Sequence, residues 1–90
     1  MPYFVKRPIV IEARQFSGEP DPELETWLGD WFESWVPQKS QLIIRTRESN
    51  TFAARATDWI IRGIVGEFYA CGDEIFVATY EAVEPPSAGG

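Results

Sequence analysis

Between Leu42 and Cys71 the chain carries four apolar runs of four or five residues, each too short to bury a helix face and each followed by turn-forming chemistry. They are Leu42–Thr46, Thr51–Arg55, Trp59–Arg62 and Glu67–Cys71. β-Branched and aromatic residues favour the pleated surface of a strand. Glu48-Ser49-Asn50 has the polar chemistry that tolerates a left-handed turn, and Gly63 and Gly66 bracket Ile64-Val65. This half of the molecule is therefore expected to fold as two consecutive β-hairpins.

The first half reads differently. From Pro8 to Phe16 the alternation places Ile9, Ile11 and Ala13 on one face and Glu12 and Arg14 on the other, which predicts a strand. Ser17-Gly18-Glu19-Pro20 interrupts it. Asp21-Pro22 then supplies an N-cap followed by proline at the first helical position. At about 100° per residue, Leu24, Leu28, Trp31 and Trp35 fall within about 60° of one another, with Trp27 and Phe32 at the margins. An amphipathic helix over Pro22–Ser34 is expected, with extended chain from Val36, which precedes Pro37. After Gly72, Asp73 is read as the cap of one helical turn through Glu74, Ile75 and Phe76, although the alternation of Ile75, Val77 and Thr79 also fits a strand. Tyr80–Val83 extends again, and Pro85–Gly90 is read as a disordered tail. The expected fold class is α+β. It is a single domain over residues 1–84 with an antiparallel sheet of five or six short strands, which can curl towards a barrel, covered by one helix.

Composition narrows the chemistry. Ninety residues build one core, and a large cofactor pocket would compete with it for the same apolar side chains. There is no histidine, which removes the commonest general base and metal ligand, and the single Cys71 excludes an internal disulfide or a cysteine cluster for zinc. A net charge of −6 opposes binding to nucleic acid. Met1–Glu12 is neither a secretory apolar block nor a membrane span, so a cytoplasmic location and no membrane insertion are expected.

The candidate reactive groups are poorly supported. Cys71 has Asp73 and Glu74 nearby and no cation to favour its thiolate. Asp58, Glu67 and Asp73 sit beside turns, where acids close loops, and no spacing selects a catalytic or metal-binding pair. Gly63-x-x-Gly66 leads into a strand that starts with Glu67, not into the helix N-terminus that a phosphate loop needs. No catalytic residue, metal or cofactor is expected. The distinctive feature is the stretch Gln15–Gln38, which holds six acids and no Lys or Arg. On the expected helix, Glu23, Glu25, Asp30 and Glu33 lie opposite the apolar stripe. That face is either simply solvated or a partner surface, with Trp27 or Phe32 at its margin as an anchor for a partner or a homodimer.

The segment Asp58-Trp59-Ile60-Ile61-Arg62-Gly63-Ile64-Val65-Gly66-Glu67-Phe68-Tyr69-Ala70-Cys71, with Ile75-Phe76 and Thr79-Tyr80-Glu81 after it, resembles a motif of small phage and prophage proteins. Their PGDYG-like pattern reads Gly-Asp-Tyr/Trp-Ile-Ile-x-Gly-x-x-Gly-Glu-Phe-Tyr-Pro-Cys. Pro8–Ala13 and Leu42–Thr46 are similar to theirs as well. The chain departs at Thr57, where the family has Gly, and at Ala70, where it has Pro; Pro22–Val36 has no counterpart. The resemblance implies phage origin, not a biochemical activity. The motif residues themselves read as scaffold: Asp58 closes a turn, Gly63 and Gly66 permit a hairpin, and Trp59, Phe68 and Tyr69 pack. A ligand groove along Glu67 and Tyr69 is the other reading. The expected function is a non-enzymatic accessory protein that binds a bacterial host protein in the host cytoplasm, altering host physiology or excluding competing phage. The alternatives are a nucleotide or small-molecule sponge, which requires Arg45, Arg47, Arg55 or Arg62 to converge on one pocket, and a minor virion component.

Overall fold

A computed structural model describes residues 2–5 and 7–83. The elements are β1 (Glu12–Gln15), α1 (Pro22–Leu28), a 3-10 turn (Gly29–Trp31), β2 (Phe32–Val36), β3 (Gln41–Arg45), β4 (Thr51–Ala54), β5 (Trp59–Arg62), β6 (Phe68–Cys71) and α2 (Asp73–Thr79). The α+β class and six short antiparallel strands match the expectation, but the strands form two sheets and no closed barrel is present among the described residues. One sheet, ordered β1-β5-β6, takes its strands from the two ends of the chain; we call it the terminal sheet. The other, ordered β2-β3-β4, is inserted between β1 and β5.

Both expected hairpins form. Leu42 faces Ala54 and Ile44 faces Phe52, so one face of the inserted sheet turns inward at every second residue. The first loop closes with the Thr46 amide donating to the Asn50 carbonyl at 2.8 Å, and Ser49 takes the left-handed conformation. In the second hairpin Gly66 has φ +86°, and a Cβ on Gly63 would overlap the Glu67 carboxylate. The two glycines thus serve different purposes. The strand expected over Pro8–Phe16 pairs only from Glu12, and Phe16 carries the pairing one step further by donating to the Asp58 carbonyl.

Expectation and structure part at the tryptophan segment. Asp21 caps α1 as expected, its carboxylate accepting from the Leu24 amide at 3.2 Å, and Leu24 and Leu28 are buried. The helix nevertheless ends at Leu28, not Ser34. Gly29 adopts φ 59° and ψ −127°, a conformation open essentially to glycine alone. Phe32–Val36 is then a strand. Its Phe32 faces Ile44 and its Trp35 faces Leu42, although the first pair of residues is three apart and the second two apart; a β-bulge between Phe32 and Ser34 absorbs the difference. The bulge turns two aromatics at helical spacing onto one sheet face, which is why the segment imitates a helix in sequence.

The main core joins Phe16, α1 (Leu24, Leu28), the inserted sheet (Leu42, Ile44, Ala54) and the terminal sheet (Ile60, Phe68). Trp27 and Trp31 pack against Phe68, and Trp35 meets Phe16 edge-on at 5.9 Å. Ile61 is also fully buried but lies outside this cluster, on the opposite face of the terminal sheet. That second face is covered by α2. It is a helix of two turns, so the single turn and the alternative strand at Ile75–Thr79 both give way to it. Gly72 occupies its cap position and Asp73 is its first residue. The tail expected at Pro85–Gly90 lies outside the described residues.

Candidate binding surfaces

The motif residues converge on the α2 side of the terminal sheet. Trp59 stacks on Phe76 at 4.1 Å and 7°, and Phe76 stacks on Tyr80 at 4.8 Å. The Asp73 carboxylate accepts from Trp59 Nε1 at 2.8 Å and from Gln15 Nε2 at 3.2 Å, which ties α2 to both β5 and β1. The Tyr69 phenol, hydrogen-bonded to Tyr80, has its pKa raised above the usual 10.0, first by burial and then by that bond and the charge of neighbouring Glu67. Asp58 closes the turn into β5, its carboxylate accepting from the Arg55 amide at 3.0 Å. Thr57 holds φ +73°, so a β-branched residue takes the left-handed conformation at a cost of about 1–2 kcal/mol. Phe68 belongs to the main core, on the other face. Asp58, Trp59, Phe68 and Tyr69 thus each make contacts within the fold. Gln15, Phe76 and Tyr80 complete the arrangement. The four-residue spacing of Phe76 and Tyr80 is visible in the sequence, whereas nothing there connects Gln15 to Asp73.

Beside this stack lies an open groove of about 1270 Å³ between the segment Arg7–Arg14, the start of the β5–β6 hairpin and the chain after α2. Trp59, Phe76 and Tyr80 form its aromatic wall, and Ile9, Val10, Ile64 and Val83 at its borders are exposed. A smaller slot of about 550 Å³ runs between β4 and β6, lined by Thr46–Glu48, Phe52 and Ala53 on one side and Glu67–Ala70 on the other. One carboxylate oxygen of Glu67, folded against Gly63, is buried without a hydrogen-bond partner among the described residues.

The acids expected on one helical face are distributed over three elements. Glu23 and Glu25 lie on α1, Asp30 in the 3-10 turn, and Glu33 on β2. Glu33 accepts two hydrogen bonds from Arg45, at 2.7 and 3.0 Å, and Glu25 is half-buried. Glu23 and Asp30 are exposed. Trp27 is half-buried, donating to Glu12 at 3.3 Å beneath the Arg14 guanidinium, and Phe32 packs against the core. The four arginines named for a sponge do not share a pocket: Arg62 borders the large groove, Arg47 the small slot, Arg45 is held by Glu33, and Arg55 lines neither.

Comparison with family models, curated proteins and solved structures gave no match. Among the described residues no three His, Cys, Asp or Glu side chains are grouped to hold a metal, and no helix is long and apolar enough to cross a membrane.

Proposed function

We infer that this chain is a small phage-encoded accessory protein that acts without catalysis, by binding a bacterial protein. The phage origin rests on the resemblance of Asp58–Cys71 and Thr79–Glu81 to the PGDYG-like proteins. The binding role rests on the large groove, where apolar and aromatic side chains border open space instead of completing the core; such a patch is characteristic of an interaction surface. The groove supersedes the acidic face as the candidate contact region, because Glu33 is engaged by Arg45 and the remaining acids do not share one element. The net charge of −6 then steers a basic partner and sets the salt dependence of association.

The test is stoichiometric capture from bacterial lysate by the tagged protein, with mass spectrometry of retained proteins and small molecules. Replacing Val10 and Ile64 with Asp should abolish capture. Glu23→Lys with Asp30→Lys should weaken it a few-fold at low salt, as remote charge contacts do. Capture that survives the groove substitutions would overturn this reading, and a retained nucleotide without protein would favour the sponge.

A further inference from the structure

The four sheet edges are not equally protected. β1 carries Glu12 and Arg14, and β2 carries Glu33 and a bulge, devices that discourage another strand from pairing there. β4, Thr51-Phe52-Ala53-Ala54, and β6, Phe68-Tyr69-Ala70-Cys71, have no charge, no proline and an unshifted register. Each is the last strand of its sheet, and the two line opposite sides of the smaller slot. At strand spacings, one residue of an added strand fills about 160 Å³ (3.3 by 4.8 by 10 Å). The slot of about 550 Å³ therefore has room for three to four residues, the length of β4 and β6 themselves.

We propose that this slot receives an extended strand, the N-terminal arm Tyr3–Val5 of a second copy of the chain. The arm has strand-forming side chains and no packing of its own: Tyr3, Phe4 and Val5 are 92, 93 and 89% exposed. With Arg7–Ile11 kept as the groove wall, the six residues before them can span up to about 20–22 Å towards a neighbouring molecule. Charge favours the exchange. The arm contributes Lys6 and Arg7 and no acid, whereas the rest of the chain holds all 14 acids against six cations. Among the described residues that line the slot, Glu48 and Glu67 are acidic and Arg47 is basic. Backbone hydrogen bonds from the inserted strand to both edges would join the two sheets into one, and reciprocal donation closes a two-fold dimer with no free arm.

Light scattering on the full chain, over a dilution series in the micromolar range, reads the mass directly. The expected value is twice 10.2 kDa, falling to the mass of one chain when residues 2–5 are deleted or when Ala53→Lys and Ala70→Lys guard the two edges. Circular dichroism verifies that the guarded variant is folded; the deletion serves independently of it. A peptide of residues 2–11 added to the deleted chain should slow amide exchange in β4 and β6 by about ten-fold or more. A full chain that is monomeric throughout, a dimer that survives the deletion, or a peptide that protects neither edge would each overturn the proposal. A monomer whose β4 and β6 lose protection on deletion would show that each chain fills its own slot, and would overturn the second copy as occupant.

Discussion

In the central strand of the terminal sheet, the neighbours Ile60 and Ile61 are both fully buried, whereas in the central strand of the inserted sheet Ile44 is buried and Ile43 beside it is only half so. Successive strand residues point to opposite faces, so the first sheet is covered on both sides and the second on one. The difference lies in what each sheet has been given to pack against. Both contribute one face to the main core under α1, but only the terminal sheet has α2 across its other face. That second layer is packed by Trp59, Tyr69, Phe76 and Tyr80 and fastened by Asp73 and Gln15. The proposed binding groove is the part of that cover left incomplete.

Truncation at the paired positions gives the largest effect and the sharpest break. Ile60→Ala and Ile61→Ala should each cost about 2–5 kcal/mol in denaturant unfolding, as should Ile44→Ala, whereas Ile43→Ala should cost ~1 kcal/mol or less. An Ile61→Ala variant as mild as Ile43→Ala would mean that α2 does not seal the second face in solution. Asp73→Ala tests the fastening itself. It removes the acceptor shared by Trp59 and Gln15 and should cost about 1–2 kcal/mol, with a change in Trp59 fluorescence as its ring loosens from Phe76. An unchanged Tm and spectrum would leave the aromatic stack alone to hold the helix. The smallest effect has the opposite sign. Thr57→Gly, at the turn that leads into the terminal sheet, should stabilise by up to ~1 kcal/mol, because relief of the left-handed backbone exceeds the added freedom of the unfolded chain. A loss of stability there would show that the Thr57 side chain supplies more than its backbone costs.

The amino-acid sequence determined whatever depends on near neighbours. Asp21 and Pro22 start α1 because the cap and the missing amide act within one turn, and the polar and glycine-rich loops place both hairpins because a hairpin joins strands adjacent in the chain. The turn closed by Asp58 was legible for the same reason, its partner Arg55 being three residues away. The signal at Trp31–Trp35 was ambiguous by its nature. A bulged strand and a helix can both put aromatics three or four residues apart on one face, and Gly29 was the local mark that the helix stops. Tertiary structure alone decided the pairing of β1 with β5, the division into two sheets, and the meeting of Gln15 with Asp73 across 58 residues. It also decided that β4 and β6, end strands of different sheets, line one slot. Contacts at such separations are selected by which faces can be buried together once every element exists, and a linear pattern of residues carries no record of that choice.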